Sequence, residues 1–438
     1  MAKNKNTVVE LVETTTEIEA PYELPEGWKW GTIEECCEMV FTGKSPKYSK
    51  EKTPYKIIGQ QANQRYGIDL NYVKYGTEEY AKNQEDYYYL RYNDVLLNTL
   101  GTGSIGRSGI YKFSDKILTD GHPFVFRTGT KYSSDLLFFY LRLNEQEIIN
   151  TANGSTNQKF LSLKSFQKFP IPLPPTLEEQ QRIVNRIETL FAKLDLAKEK
   201  AQNVVGTFET RRASILHKAF TGELTKKWRE ENGVGDDSWE KKTLEAVLIE
   251  KPRNGYSVTA VDYETPVKSM SLSATTSGYF RPEFVKYIDE EIPEDSHLWL
   301  KPGDILLQRS NSLDKVGTSA IYTGEYKEFI YPDLMMKLQV IPSYSNEFIS
   351  YQLKTEKTMS YFRNNATGTA GNMPKINQKT VCSLPIILPT MDEQIEIVRI
   401  LNITFEKESK AKEAAEAVLE QIDLLKKSIL ARAFRGEL

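Results

Sequence analysis

The chain has 438 residues, 39% of them hydrophobic and 27% charged, with 57 lysines and arginines against 60 aspartates and glutamates and a net charge of −3. That length suits two globular domains plus long helices. A charge balance this near zero excludes a generic polycationic nucleic-acid binder, so contact with phosphate requires locally clustered lysine and arginine or a partner. Three cysteines (Cys36, Cys37, Cys382) make neither a metal quartet nor a disulfide framework, which suggests a reducing cytoplasm, and the lack of a leader or long apolar run argues against secretion or membrane spanning.

In chain order, residues 1–23 form an acidic, threonine-rich arm. Residues 24–173 carry aromatic and β-branched runs such as Ile57-Ile58 and Asp94-Val95-Leu96-Leu97, broken by Gly, Pro and Asn, and predict a mixed, strand-rich domain. At 174–224 the pattern changes to that of a helix. Pro174-Pro175-Thr176 followed by Glu178 and Glu179 supplies a capping hydroxyl and first-turn acids, and Gly222 stops the helix after basic residues. Steps of four and three link Ile183, Ile187, Leu190, Leu194, Ala197, Ala201, Val204, Phe208 and Ile215, with Arg211 as the fault in the seam. Residues 225–237 are a polar link. Residues 238–388 form a second strand-rich domain with Asp304-Ile305-Leu306-Leu307 as its apolar landmark. Residues 389–438 repeat the helix, from Pro389-Thr390 with Asp392 and Glu393 to Gly436. Their seam runs through Ile397, Leu401, Ala411, Ala415, Val418, Ile422, Leu425 and Ile429, with Thr404 and Glu408 as faults. Each helix is expected to span about 40 residues, or roughly 60 Å.

The chain therefore contains itself twice. A shift of 214 positions places Glu179-Gln180 on Glu393-Gln394, Ser214-Ile215-Leu216 on Ser428-Ile429-Leu430, and Ala219-Phe220 with Gly222-Glu223-Leu224 on Ala433-Phe434 with Gly436-Glu437-Leu438. The domains share only a sparse skeleton, in which Trp28 to Glu34 matches Trp239 to Glu245 and Thr53-Pro54 matches Thr265-Pro266. A repeat of this length is a duplicated domain and predicts a pseudo-twofold protein. Seams sustained over more than four heptads argue for a coiled coil between the two copies. Antiparallel pairing would bring Arg211 to Glu408, and a parallel pair would hold them at opposite ends. The alternative is two unrelated amphipathic helices, each packed on its own domain.

The order of variable domain, Pro-Pro-x-x-Glu-Glu-Gln helix ending in Ala-Phe-x-Gly-Glu-Leu, second variable domain and second such helix resembles the specificity subunit of type I restriction-modification systems, over residues 25–438. The resemblance implies an α+β fold with two target recognition domains separated by two long helices. Each domain would read one half of a split, asymmetric double-stranded DNA target. The helices would hold the domains apart and dock two adenine methyltransferase subunits, which use S-adenosylmethionine, and a restriction subunit could join them. It also implies that the chain is not itself an enzyme, with no cofactor of its own. Independently, two domains reading major grooves on one face of B-DNA belong about one helical turn apart, roughly 10 base pairs, which leaves an unread spacer of roughly 5 to 8 base pairs.

Reading a base edge calls for paired donors and acceptors, and phosphates accept from lysine, hydroxyls and backbone amides. Gln60, Gln61, Asn63, Gln64 and Arg65 are the densest such run, and their positional counterparts are hydroxyl-rich, with Ser271 and Ser273 among them. Lys44, Lys47 and Tyr48, and Arg253, Asn254 and Tyr256, suit phosphate contact and stacking. Arg107, Asn157, Gln158, Lys159, Gln308, Arg309, Asn311 and Asn372 are secondary candidates, each weighed against a plain solvated loop. Gly101-Thr102-Gly103-Ser104-Ile105-Gly106 matches a dinucleotide fingerprint, but the following Arg107-Ser108-Gly109-Ile110-Tyr111 reads as a strand, so a glycine-rich hairpin is expected. No nucleophile-base pair or metal spacing is visible around His122, His217 or His297. Two other function classes stay open: an enzyme with a concealed site in a variable domain, and a non-DNA coiled-coil scaffold joining two protein-binding domains.

Overall fold

The computed structural model describes residues 21–438 apart from Tyr66, Thr102, residues 155–158 and residues 369–372, with the side chain of Asp236 also outside the description. The expected arm thus lies outside the described residues up to position 20. The chain divides into two units, one made of residues up to Lys200 together with Ala417–Leu438 and the other of Ala201–Glu416. Each holds one strand-rich domain and one pair of helical segments.

The two units repeat one internal plan. In the first, a four-stranded antiparallel sheet orders Met39–Thr42, Phe124–Arg127, Val95–Leu97 and Ser108–Ile110; in the second, Arg253–Asn254, Met335–Leu338, Ile305–Gln308 and Ser319–Ile321 take the same places. A three-stranded sheet with one parallel pair lies in each, centred on Lys56–Ile58 and on Lys268–Met270. A two-stranded ribbon joins the start and end of each domain, Lys29–Thr32 with Pro170–Leu173 and Glu240–Thr243 with Pro385–Leu388.

The apolar landmarks in the sequence are the central strands, covered on both faces. Successive side chains of a strand point to opposite sides. Val95 and Leu97 accordingly enter the core on the long helices, and Leu96 enters a separate cluster with Phe41, Ile58 and Tyr111. Ile305 and Leu307 divide from Leu306 in the same way. The aspartate that opens each run closes the preceding turn: Arg91 N donates to Asp94 at 2.8 Å and Lys301 N to Asp304 at 2.9 Å.

The long helices start and stop where the sequence places their signals. Thr176 Oγ1 accepts from Glu179 N at 3.1 Å and Thr390 Oγ1 from Glu393 N at 3.4 Å. Gly222 and Gly436 end them with φ of 81° and 71°, the left-handed region that suits glycine. The second helix runs unbroken as Met391–Phe434, and the first is interrupted between Leu177–Gly206 and Phe208–Phe220. Glycine inside a helix costs about 1 kcal/mol against alanine, and Gly206 sits at that interruption.

Within each unit the helical segments pair antiparallel. In the first unit Arg182 Nη1 reaches Leu438 O at 2.9 Å and Lys426 reaches Asp195 at 2.5 Å, so partners run in opposite order. In the second unit Arg211 Nε meets Glu408 Oε2 at 2.8 Å, the pair expected from the seam faults, and Lys412 lies 4.8 Å over the Phe208 ring. The second seam differs by one residue at alternate turns. Val418 and Leu425 are 40% and 46% exposed, and Phe405, Lys412, Leu419 and Lys426 face inward instead. A helix turns 3.6 residues rather than 3.5, so the buried stripe drifts from a strict seam, and here it must also meet a domain. Ile183, Val184, Ile187 and Phe191 join Leu430, Ala433 and Phe434 beneath the first domain. Ile397, Val398, Leu401 and Phe405 join Leu216 and Ala219 beneath the second. No helix among the described residues is long and apolar enough to cross a membrane.

Candidate nucleic-acid interface

In the first domain the candidate residues gather at one end of the four-stranded sheet. The turn Gln60–Ala62 follows the strand Lys56–Ile58, and a hairpin of Asn63–Gln64 with Gly67–Ile68 follows the turn. This corner is pinned to the loop after Val95–Leu97 by side-chain amides. Gln60 Oε1 accepts from Thr99 N at 2.6 Å and Leu100 N at 2.8 Å, and Asn98 Nδ2 donates to Gln60 O at 3.1 Å. Asn63, wholly buried, donates to Asn98 Oδ1 at 3.1 Å and Arg107 O at 3.0 Å.

Arg107 spends both guanidinium ends on Asn63 O at 3.2 Å and Gly103 O at 2.8 Å. Two of its five N–H donors are thereby used inside the protein. Gln60 and Arg107 are half-buried and help to pin the corner, and Asn63, wholly buried, positions it rather than projecting from it as a reader would. Gln61 and Arg65 are exposed, with Arg65 held 3.3 Å from Glu145, and Gln64 is half-buried and donates to Gln61 O at 2.6 Å. The glycine-rich segment is a hairpin connection between antiparallel strands, as its sequence suggests, with Gly101, Gly103 and Gly106 at φ of 92°, 88° and 81°.

The cationic loop lies on the same face. Gly43 approaches the carbonyl of Thr119 so closely that an added Cβ would collide with it, and this seats residues 44–50 beside Asp120. Lys44, Lys47 and Tyr48 are exposed; Lys44 stands 4.9 Å over Tyr88, and Lys47 has only a 3.5 Å surface pair with Glu79. Tyr48 Oη lies 3.5 Å from Asp120, and burial followed by that carboxylate pushes its hydroxyl up to about 12, so it stays a donor at neutral pH. Asp120 in turn receives His122 N at 3.0 Å, and Thr99 Oγ1 donates to His122 O, which connects this loop to the Gln60 corner. Lys159 is half-buried next to Phe160, which pairs with Leu100 and is 45% exposed. Asn157 and Gln158 lie outside the described residues, as does Asn372 of the second domain.

The second domain repeats this face with other side chains. Gln308 is buried and donates to Leu272 O at 2.8 Å and Thr275 Oγ1 at 2.8 Å, and it accepts from Asn311 Nδ2 at 2.6 Å. It is a positioning residue like Gln60, and Asn311 is largely committed to it. Arg309 is half-buried, with Nη1 3.4 Å from Asp333 O. Ser271 donates to Phe284 O at 3.1 Å, and Ser273 is exposed. Arg253 and Asn254 are exposed at the sheet edge, and Tyr256 is 46% exposed just beyond Gly255, the counterpart of Gly43, where a Cβ would strike Tyr331 O. Met373, 49% exposed, and Lys375, bridged to Ser310, occupy the place that Phe160 takes in the first domain. Neither Phe160 nor Lys375 stood out in the sequence, because only pairing with Leu100 and Ser310 brings them to this face.

A further cationic cluster went unsignalled. Arg212 lies 4.0 Å over Phe405 and donates to Tyr279 Oη, and Lys354 stands 5.0 Å over Tyr279 and 5.4 Å over Tyr351. Burial, then the charge of Arg212, lowers the Lys354 ammonium to about 8. The signal was available in the repeat: Lys426, the counterpart of Arg212, is neutralised by Asp195, whereas the counterpart of Asp195 is Ser409.

Comparison with known proteins agrees with this plan. The family described as "Type I restriction modification DNA specificity domain" matches residues 25–205 and again 237–421. The EcoKI type I restriction enzyme specificity subunit of Escherichia coli K12 is 28% identical over 293 residues, 66% of this chain and 62% of that protein. The StySPI specificity subunit of Salmonella potsdam is 26% identical over the same shares of both chains. The chain thus aligns with less than two thirds of the length of these relatives. The fold is that of the HsdS subunit from Thermoanaerobacter tengcongensis, with TM-score 0.65, 17% identity, and coverage of 96% of this chain and 100% of that one.

Proposed function

The chain belongs to the type I restriction-modification DNA specificity family, and from that premise we propose that it is the sequence-reading, non-catalytic subunit of a cytoplasmic restriction-modification complex. Each domain reads one half of a bipartite, asymmetric double-stranded target. The paired helices dock two adenine methyltransferase subunits, which bring S-adenosylmethionine, and restriction subunits join that assembly.

One observation carries the reading: the same sheet end in both domains holds matched backbone and buried amide pins but different outward side chains. Gln61, Arg65 and Phe160 stand in one domain where Ser273 and Lys375 stand in the other. A constant frame with a variable face suits two unlike half-sites, since base discrimination depends on which donors and acceptors meet each edge. Lys44, Lys47 and Tyr48, and Arg253, Asn254 and Tyr256, serve the flanking phosphates. Their contribution should weaken steeply with salt as counterions cease to be released.

The test is to map methylated adenines in cells carrying this chain with its methyltransferase, and to repeat the map with Arg65→Ala and Gln61→Ala together. The expected motif has two separated halves with a spacer of roughly 5 to 8 base pairs, from one helical turn less half-site width, and the double variant relaxes one half alone. A continuous motif, or equal loss at both halves, contradicts the proposal.

A further inference from the structure

The first unit contains a filled seat at the end of its helix pair. Tyr22 stacks edge-on against Trp30 at 4.9 Å, Trp30 Nε1 donates to Tyr22 O at 3.2 Å, and Arg435 lies 5.9 Å over the Tyr22 ring. Pro25 closes against Gly436, where an added Cβ would strike it. The hydroxyl of Tyr22 is buried without a hydrogen-bond partner, and burial pushes it up to about 12. The segment Tyr22-Glu23-Leu24-Pro25-Glu26 is thus held against its own unit as a bound peptide would be.

The second unit has the corresponding seat, and no segment among the described residues takes the place of Tyr22 in it. Strand registers place Lys241 where Trp30 stands, because Lys29 pairs with Leu173 as Glu240 pairs with Leu388. The helix repeat places Thr221 and Gly222 at Arg435 and Gly436. Gln180 Oε1 accepts from Ser133 N and Gln394 Oε1 from Ser345 N, and this matched anchor puts Gln352 at Tyr140. Lys241, Thr221, Gly222 and Gln352 all line an open cleft of about 980 Å³. The chain that precedes this domain does not enter as Tyr22 does. It forms the Lys226–Asn232 helix, from which Arg229 turns to Gly222 O at 2.9 Å and Glu393 at 2.7 Å.

The lining also has unmet chemistry. Glu223 is paired with Lys218 at 3.0 Å and Glu356 with Arg363, whereas Lys226, Lys241 and Lys357 have no ion pair among the described residues. Gln352, 5% exposed, keeps a side-chain carbonyl with no hydrogen-bond partner.

We infer that this cleft is a docking site for an extended peptide of a separate polypeptide, one that presents a tyrosine ring flanked by carboxylates. The ring takes the place that Tyr22 takes in the first unit, and the carboxylates meet the three lysines. The volume is at the upper end of ordinary ligand sites, which suits a short peptide. This site is independent of the DNA-reading faces.

A fluorescein-labelled peptide spanning residues 20–27 of this chain serves as the probe, titrated into the full-length protein by fluorescence polarisation. Saturable binding at one site is expected. It should weaken at least tenfold with Thr221→Trp, with Lys241→Glu plus Lys357→Glu, or with the peptide tyrosine changed to alanine, while DNA affinity stays unchanged. Binding that ignores these changes, equal binding of a scrambled peptide, or no saturation overturns the site. Self-association of the full chain lost with Thr221→Trp would assign the cleft to a second copy and overturn the separate partner. A failure of DNA recognition with intact peptide binding would concern the proposed function alone.

Discussion

Glu179 and Glu393 occupy the same position of the repeat and live in opposite surroundings. Glu179 lies near the surface and is paired two-fold with Arg182 of its own helix at 2.7 and 2.8 Å. Glu393 is fully buried and accepts from Arg229 at 2.7 Å, Thr225 at 2.6 Å and Trp239 Nε1 at 3.0 Å. One glutamate pairs with an arginine of its own helix beside water; the other ties the link before the second domain to the helix Met391–Phe434. The lesson is that duplication preserves backbone and register, while the chain entering each domain decides what a repeated side chain does.

Substitution can break that contrast. Glu393→Ala should lower the stability of the second unit by about 3 to 5 kcal/mol, since it removes a fully buried carboxylate that accepts from Arg229, Thr225 and Trp239 at once. Glu179→Ala should cost less than about 1 kcal/mol, as expected of a near-surface pair. Hydrogen exchange resolved by unit separates the two effects, and equal losses would refute the contrast.

A second, smaller effect should come from Lys354. Its folded value of about 8 lies below the ordinary lysine value, so between those values the unfolded chain binds more protons and stability rises with pH. Lys354→Met should therefore stabilise the second unit at pH 7 by up to about 2 kcal/mol, after a discount for partial exposure, with the gain fading above about pH 10. Denaturant midpoints at pH 7 and pH 10 check this, and a gain independent of pH would remove the electrostatic cause.

The helix seam offers the finest comparison. Where the second unit pairs Arg211 with Glu408, the first has Leu425 and Leu194. A double-mutant cycle on Arg211→Leu and Glu408→Leu should give a coupling of about 1 kcal/mol. The double variant should lie close to the parent, because two leucines of similar reach replace the half-buried charges together and leave neither unpaired. A coupling near zero would mean that the ion pair only fills space.

The helices were legible because their signals are local: Thr176 and Thr390 cap backbone three residues on, Gly222 and Gly436 supply the left-handed stop, and the Arg211–Glu408 contact follows from reading two faults against each other. The candidate face was legible as a region and poorly legible residue by residue. Gln60, Asn63 and Gln308 have the composition of base readers, yet their amides are used on Thr99, Asn98 and Thr275, partners 33 to 39 positions away in the chain.

By itself the sequence determined the duplication, the helix limits, the opposite sense of the pairing and the apolar centres of both domains, because periodicity and caps depend on neighbours within a few turns. Only the tertiary structure decided which polar side chains face outward, which glutamate is buried, and that Tyr22 fills one seat while no described residue takes its place in the copy. Those outcomes depend on contacts between distant segments, where one buried hydrogen bond determines whether an amide is available to a ligand at all.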